Sequence, residues 1–219
     1  IYDLKTKKEI PINKKYFITS PIPYNLSDSS ETPTIDALFV EWVGGGKKEN
    51  LYEIIAYLIC QEQFLQRWFA LTGAGSNGKG TFNKLIMKFI GKENCASSSI
   101  KSLINRTFET SALYKKLVCF IGEADSSDLS NTNLIKQLAG EDAIRYEFKG
   151  KTCFSDSSPT TFIMSTNSLP KTPDKSDGFY RRVCVVPFPN QFQITPNLLD
   201  KIPEKEFENL TRKTVDVLL

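Results

Sequence analysis

A buried strand that runs directly into a glycine-rich turn, and then into a helix, is the feature that most restricts how this chain can fold. Residues 68–72 read as the strand, and residues 82–90 carry apolar side chains at helical spacing and end at Gly91. The turn between them has the sequence Gly-Ala-Gly-Ser-Asn-Gly-Lys-Gly-Thr. Strands that alternate with helices are typical of a parallel α/β sheet, so we expect an α/β fold with a central parallel sheet.

Further apolar runs predict the rest of the sheet and a small helical segment before it. Three of them read as buried strands and a fourth reads as a helix: 117–121, 161–166, 183–186 and, for the helix, 129–138. Upstream, Asn50 and Glu53 form a capping-box-like start to an amphipathic helix. The chain begins at Ile1 rather than Met, so we expect it to be a piece of a longer protein. The predicted parts are a connector at 1–35, a helical segment at 36–66, a core at 67–190 and a truncated helical tail at 191–219.

The composition is that of a globular chain and excludes several kinds of chemistry. Of the 219 residues, 40% are hydrophobic and 24% are charged, and no apolar run approaches the ~20 residues that a membrane span needs. The five cysteines are far apart without a C-x-x-C pair, which argues against a zinc site and favours a reducing compartment. We therefore expect a cytoplasmic protein, neither secreted nor membrane-bound.

The chain has no histidine, which excludes a Ser-His-Asp triad, a histidine metal site and a histidine general base. Any chemistry must therefore use carboxylates, lysine, arginine and backbone amides. The net charge of +3 is too small to indicate a nucleic-acid partner by itself.

The glycine-rich turn has the residue types of a phosphate-binding loop. Glycines let the backbone wrap closely enough for its amides to point at phosphate oxygens, and the following helix adds a favourable field. Lys79 supplies a positive charge at the β- and γ-phosphates. A glycine-rich turn without a ligand is the alternative, but the strand–loop–helix context favours a nucleoside triphosphate, with ATP expected. The predicted binding residues are Gly73, Ala74, Gly75, Ser76, Asn77, Gly78, Lys79, Gly80 and Thr81.

Magnesium is the expected metal, and its ligands are less defined by the sequence. The usual loop places Ser or Thr directly after the lysine, whereas here Gly80 stands there and Thr81 follows. Whether Thr81 takes the metal role or only contacts phosphate is left open. Glu123 and Asp125 follow the predicted strand at 117–121, where carboxylates at the tip of a neighbouring strand organise magnesium and polarise the attacking water. Solvated acids at an ordinary strand exit are the alternative.

An asparagine and a pair of arginines further along the chain are residue types that suit phosphoryl chemistry. Asn167 ends the predicted strand at 161–166, where an amide can hold the lytic water or sense the γ-phosphate, although such an Asn is often only a turn residue. Arg181 and Arg182 precede the last predicted strand, and an arginine that reaches a neighbouring subunit can stabilise transition-state charge. A surface arginine pair bound to carboxylates is the alternative.

Alternating apolar residues on both sides of a Lys-Gly-Lys turn predict a β-hairpin. Ile144, Tyr146 and Phe148 precede the turn, and Phe154 follows it. Lys149 and Lys151 then lie at the tip, where they could meet nucleic-acid phosphates without reading bases or could simply be solvated.

Together these motifs resemble the superfamily 3 helicases of the AAA+ class, most closely the primase-helicases of poxviruses, phages and plasmids. The resemblance runs from about residue 33 to 190 and is specific in the order and spacing of its motifs. The matching stretches are 33–39, 73–79, the strand before Glu123, 135–142, 166–170 and 177–182 ending in Pro187-Phe188. The chain departs from the family pattern in having Gly80 for a hydroxyl residue, Ala124 between the acids, and Glu141 where glycine is common.

The resemblance implies an ATP-dependent helicase that moves on single-stranded DNA as a ring, with ATP and Mg²⁺ at subunit interfaces. Lys79 would bind phosphate, Glu123 and Asp125 would serve metal and water, and Asn167 would match the sensor residue. Arg182 abuts the last strand and is favoured over Arg181 as the arginine finger, and the Lys149–Lys151 turn occupies the place of the DNA-gripping hairpin. The implied partners are single-stranded DNA, further copies of the chain in a ring that is expected to be a hexamer, and an upstream primase or polymerase domain.

Two other kinds of protein also use a phosphate-binding loop of this type. A nucleotide or small-molecule kinase would also use Gly-Lys-Gly-Thr, but it normally needs an arginine-lined lid, and the sequence has no such cluster. A non-motor assembly module would bind nucleotide with negligible turnover.

Overall fold

The central sheet has five parallel strands, with helices packed on both faces. The computed structural model describes residues 1–16, 18–61, 63–106, 108–122, 132–140, 142–169 and 172–219. In these ranges the sheet is accompanied by two short antiparallel strand pairs. The prediction of an α/β fold with a central parallel sheet, preceded by a small helical segment, is confirmed.

The elements outside the central sheet precede and follow it in the chain. The first are a strand pair, a 3₁₀ turn at Lys14–Tyr16 and two helices that flank a 3₁₀ turn at Gly45–Lys47: β1 (Tyr2–Asp3), β2 (Lys8–Glu9), α1 (Pro33–Val43) and α2 (Lys48–Ile59). The last are a 3₁₀ turn at Leu198–Lys201 and α7 (Glu204–Leu218). None of the helices in the described ranges is long and apolar enough to cross a membrane.

Between them lies the sheet domain with its connecting helices. Its elements are β3 (Trp68–Thr72), α3 (Lys79–Ile90), β4 (Cys95–Ser98), α4 (Ile100–Asn105), β5 (Val118–Ile121), α5 (Asn133–Leu138), β6 (Ile144–Tyr146), β7 (Phe154–Asp156), β8 (Thr161–Thr166), α6 (Asp177–Tyr180) and β9 (Val183–Pro187). Short 3₁₀ turns lie at Lys92–Asn94 and Glu109–Leu113.

The strand order is β4-β5-β8-β3-β9, so β3 is paired on both sides. Thr72 at the end of β3 lies opposite Thr166 of β8 and Pro187 of β9. Because all five strands are parallel, their carboxyl ends share one edge of the sheet. The residues that follow β3, β5 and β8 are therefore brought to the same edge.

The inner strands β3, β5 and β8 are nearly continuous apolar runs because both faces of the sheet are covered there. Phe69 and Leu71 of β3 face a core that they share with α1, α2, α3 and α7. Trp68 and Ala70 alternate to the opposite face and pack with α4, α5 and α6. This double coverage explains why β3, β5 and β8 could be predicted from the sequence.

One local prediction was wrong, and one strand was not predicted. Asn50 does not cap α2, because the 3₁₀ turn before it carries the chain into the helix two residues earlier, at Lys48, without a side-chain cap. The edge strand β4 was not predicted, since its sequence Cys-Ala-Ser-Ser has no apolar pattern. The predicted helix at 129–138 corresponds to α5, and its residues 129–131 lie outside the described ranges.

The carboxyl-terminal helix α7 packs on α1 and α2 and caps α1 through a buried acid. The Glu206 carboxylate accepts hydrogen bonds from the backbone N–H groups of Thr34 (3.1 and 2.9 Å) and Ile35 (3.0 Å). These groups lie in the first turn of α1, where a negative charge is favourable. The helical segment and the tail thus share one core, and the predicted domain boundaries stay a prediction.

A polar network joins the same three helices around Asp36 of α1. Its carboxylate accepts hydrogen bonds from the Tyr52 hydroxyl, from Lys48 (3.2 Å) and from Lys213 (3.1 Å). Burial alone would raise the pKa of Asp36, but the hydrogen bonds from Tyr52, Lys213 and Lys48 outweigh it and lower the pKa below its ordinary value of 3.8. The ionised form of Asp36 is therefore stabilised in the folded chain.

Asp36→Asn should lower the free energy of unfolding at pH 7 by about 1–2 kcal/mol, because the charge-assisted hydrogen bonds are lost. Since the folded pKa is depressed, this stabilisation is present above the unfolded pKa and is lost as the pH falls through the folded one. The difference between the two proteins should therefore shrink below about pH 4. Urea unfolding from pH 3 to 8 measures it, with Glu41→Gln, an exposed acid on α1, as the control. A difference that is the same at every pH would contradict the assignment.

Gly78 directly precedes α3, and both its backbone conformation and the space around it fit only glycine. Its φ is +93°, and a Cβ atom there would lie 2.6 Å from Cδ1 of the buried Trp42 on α1. Gly75, in the same loop, has no neighbour within 4 Å of such an atom and no positive φ.

Gly78→Ala should therefore destabilise the fold by about 2 kcal/mol or more, through both the backbone strain and the collision with Trp42. Gly75→Ala is the matched control and should change stability by less than about 0.5 kcal/mol. Thermal unfolding of the two variants measures the difference, and equal melting temperatures would show that the loop does not pack on α1 as described.

Candidate functional site

The loop between β3 and α3, at residues 73–78, turns back closely on itself. Gly73 has a φ of +148°, and a Cβ atom there would lie 2.3 Å from both Asn77 Nδ2 and the Phe188 carbonyl oxygen. Ser76 also has a positive φ, of 58°. The loop therefore turns in a space where a side chain at position 73 would not fit, as a backbone that wraps a ligand requires.

Lys79 is buried in this loop, with 8% of its surface exposed. Its ammonium group donates hydrogen bonds to the carbonyl oxygens of Gly73 (2.5 Å) and Ala74 (3.3 Å) and to Asn77 Oδ1 (3.1 Å). Asn77 is itself 3% exposed and donates to the Phe188 carbonyl oxygen (3.2 Å). A buried ammonium group is thus held at the first residue of α3, and the amino end of a helix is a position that stabilises a bound phosphate.

An open cleft of about 870 Å³ lies in front of the loop. It occupies the carboxyl edge of the sheet, where ligands of open parallel sheets bind. The volume falls within the range of nucleotide-sized pockets. Its lining includes Gly75, Ser76, Asn77, Gly78, Lys79, Gly80, Thr81, Asn83, Lys84, Ser97, Ser98, Phe120, Ile121, Gly122, Ser165, Asn167 and Ile194.

The strand beside β3 that brings residues to the cleft is β8, whereas we expected the acids after β5 to follow a strand next to the loop. Asn167 follows β8, directly beside β3, and lines the cleft as predicted for a strand next to the loop. β5 is separated from β3 by β8, so it is not the neighbouring strand. Gly122, which follows β5, lines the cleft. Glu123, the next residue, and Asp125, two residues further along, lie outside the described residues.

The metal site is only partly covered by the described residues. Thr81 and Gly80 both line the cleft, and a Cβ atom on Gly80 would meet nothing within 4 Å. Among the described residues there is no group of three or more cysteine, aspartate and glutamate side chains that could hold a metal ion.

Several residues that line the cleft were not predicted from the sequence. Asn83 lies one turn after Lys79 on α3 and donates to Ser165 Oγ of β8 (2.9 Å), while its Oδ1 is buried without a hydrogen-bond partner among the described residues. The i, i+4 spacing from Lys79 was a signal that could have found it. Ser98 could not have been found, because β4 was not recognised.

Arg181 and Arg182 lie at the opposite edge of the sheet. Val183, which follows them, pairs with Trp68 at the start of β3. Arg182 donates to the Gly178 carbonyl oxygen (2.5 Å) and to Gln66 Oε1 (3.3 Å). Burial and the neighbouring Arg181 lower the pKa of Arg182 from its ordinary value.

The two arginines differ in exposure. Arg181 is exposed and makes only a long contact of 3.5 Å with Gln66 Oε1. Arg182 is half-buried, and its Nε has no hydrogen-bond partner among the described residues. The more available guanidinium group is therefore that of Arg181, whereas the sequence favoured Arg182.

The predicted hairpin is present as β6 and β7. Gly150 has a φ of +73° in the turn, and Lys149 and Lys151 are exposed on either side of it. Phe148 and Phe154 stack below the turn with ring centroids 6.1 Å apart. The turn therefore carries two exposed lysines next to a stacked pair of aromatic rings.

Solved structures of the C-terminal region of NrS-1 share this fold. An A-form apo structure of that region matches with a TM-score of 0.69 and 18% sequence identity, over 87% of this chain and 47% of that chain. Another apo structure matches with a TM-score of 0.67 and 19% identity, over 87% and 47% of the two chains. The chain thus spans about half the length of the structures that it matches.

A family model covers residues 71–182, from the end of β3 to the residue before β9. This stretch is just over half of the chain and includes all the predicted site residues, from Gly73 to Arg182. The chain therefore belongs to DUF5906, a family of unknown function.

Proposed function

We propose that this chain is the ATPase core of a DNA helicase of the superfamily 3 type, working as a ring on single-stranded DNA. The observation that carries the proposal is the buried Lys79, held at the start of α3 and opening onto a cleft of about 870 Å³. The fold shared with the NrS-1 C-terminal region is compatible with it. An upstream primase or polymerase domain in the longer protein is part of the proposal.

The triphosphate would lie along the loop at residues 73–81. Backbone amides and the amino end of α3 would meet its β- and γ-phosphates. The Lys79 ammonium group now bonded to Gly73 and Ala74 would turn to phosphate oxygens, which are better acceptors because they are charged. Lys79 would thus exchange two backbone carbonyl acceptors for phosphate oxygens when the nucleotide binds.

Magnesium would be held beside the same phosphates. Glu123 and Asp125, which follow Gly122 at the cleft, are the proposed carboxylates, and Thr81 is the proposed hydroxyl ligand in place of residue 80. The metal would supply charge neutralisation at the β- and γ-phosphates. Asn167, at the end of β8, would orient the attacking water or sense the γ-phosphate.

An arginine would complete the site from a neighbouring subunit. In one chain, Arg181 and the phosphate loop lie at opposite ends of the five-residue strand β3, which spans roughly 16 Å, so Arg181 would not serve its own site. Because Arg181 is exposed while Arg182 is bonded to Gly178 and Gln66, we assign the finger to Arg181. Nucleotide would then bind between subunits of a ring, for which six is the proposed number.

The hairpin formed by β6 and β7 would contact the DNA. Lys149 and Lys151 are exposed at its turn and would bind phosphates without selecting bases. DNA held there would be moved when the ring hydrolyses ATP.

ATP turnover by the chain should rise when single-stranded DNA is added, and it should rise with protein concentration as the ring assembles. In the double variant Lys149→Ala/Lys151→Ala, the DNA-dependent increase in turnover should be smaller by a factor of about five or more, since two phosphate contacts are removed. A steady-state phosphate-release assay measures both effects.

The matched control is Lys5→Ala/Lys7→Ala, which removes two exposed lysines from the turn of the other hairpin, between β1 and β2. This control should keep the full DNA response. Hydrolysis that DNA does not change would argue against a motor and for the assembly module, and equal losses in the two double variants would reject the hairpin as the DNA contact.

Arg181→Ala should lower the turnover of the assembled protein by about 10³-fold or more, as expected for an arginine finger. Arg182→Ala should mainly lower the melting temperature, because it loses the contacts with Gly178 and Gln66. Mixing Arg181→Ala with Lys79→Ala should restore part of the turnover, since some interfaces then combine an intact loop with an intact Arg181. A mixture as inactive as its two components would contradict a finger supplied in trans.

A further inference from the structure

The chain that leaves β9 is fastened to the phosphate loop. We call residues 188–194 the β9 strap. Its Phe192 N–H donates to the Ser76 carbonyl oxygen (2.7 Å), and its Gln191 Nε2 donates to the Gly75 carbonyl oxygen (3.4 Å). With the bond from Asn77 to the Phe188 carbonyl oxygen, three successive loop residues hold the strap. The strap therefore has a fixed place beside the triphosphate site.

Ile194, at the end of the strap, is an exposed apolar side chain on the wall of the cleft. Its exposed fraction is 86%, whereas Phe120 and Ile121, which also line the cleft, are 7% and 3% exposed. A single exposed isoleucine needs no explanation on an ordinary surface. Apart from the buried Phe120 and Ile121, the other described residues that line the cleft are glycine, serine, asparagine, lysine and threonine, so Ile194 offers apolar area there that the fold does not use.

The strand order indicates which part of a nucleotide would meet Ile194. In the proposed function the γ-phosphate would point to the side of β8 and β5, where Asn167 and Gly122 line the cleft. The nucleoside end of the ligand would then leave on the other side of β3, which is the side of β9. Ile194 is the strap residue that lines the cleft, and in this orientation of the ligand it would lie on the path of the base.

We propose that Ile194 forms the floor of a nucleobase subsite and packs against the flat face of a purine. This inference rests on the proposed function, since it assigns the base end of the same triphosphate site. An isoleucine contacts the ring face and offers no hydrogen bond to the base edge. The subsite therefore favours nucleotides over bare phosphate chains without choosing between adenine and guanine.

The experiment compares the dissociation constants of ATP, GTP and inorganic tripolyphosphate, each with Mg²⁺, measured by calorimetry. Ile194→Ala should weaken ATP and GTP about fivefold each, because roughly 40 Å² of apolar contact is lost, and should leave tripolyphosphate unchanged. Ile194→Leu should retain the affinity for both nucleotides. Ile12→Ala is the matched control, because Ile12 is 89% exposed and does not line the cleft.

Three outcomes would overturn the inference, and they are distinguishable. If the unaltered chain binds tripolyphosphate and ATP, but Ile194→Ala binds ATP as tightly as Ile12→Ala does, the base subsite is wrong and the phosphate site stands. If the unaltered chain binds neither ligand, the proposed function fails and the subsite fails with it. An equal loss for ATP and tripolyphosphate would also reject the subsite, because Ile194 would then act on the phosphate loop.

Discussion

The parallel pairing of β3 with β8 on one side and β9 on the other is the constraint on which the candidate site depends. It places the ends of three strands at one edge, with Thr72 opposite Thr166 and Pro187. The phosphate loop, Asn167 and the β9 strap follow these three residues directly. Because β3 and β8 are buried on both faces and β9 packs into the core through Val186, the position of each following segment is set by the core.

The same pairing separates two sets of charged residues. Lys79 lies at the carboxyl edge of the sheet, and Arg181 and Arg182 lie at the amino edge. The five-residue strand β3 separates the two sets. In the proposed ring, Arg181 would therefore reach the phosphates bound by Lys79 of another chain, and assembly and turnover would be coupled. The helices α1, α2 and α7 pack together on one side of the loop, where Trp42 of α1 lies against Gly78 and the Asp36 network joins the three helices.

Much of this arrangement could be predicted from the sequence because its signals are local. The loop, the strands β3 and β8, and the hairpin turn at Gly150 are encoded in consecutive residues. The insertion of β8 between β3 and β5 depends on the pairing of β8 with β3, more than 90 residues earlier in the chain, which no short pattern carries. Ile194 and the greater exposure of Arg181 were missed for the same reason, since both follow from contacts made after folding. The false cap at Asn50 arose because a 3₁₀ turn replaced the expected helix start.

The central claim is that the loop around Lys79 binds a nucleoside triphosphate, and direct titration of the chain with a non-hydrolysable ATP analogue and Mg²⁺ tests it most directly. Calorimetry should give saturable binding for the unaltered chain, and binding at least about tenfold weaker for Lys79→Ala, since a buried charge contact to phosphate is worth more than about 1.4 kcal/mol. Lys92→Ala, which removes an exposed lysine outside the cleft, should bind as the unaltered chain does. Equal affinities for all three proteins, or no binding to any of them, would contradict the account.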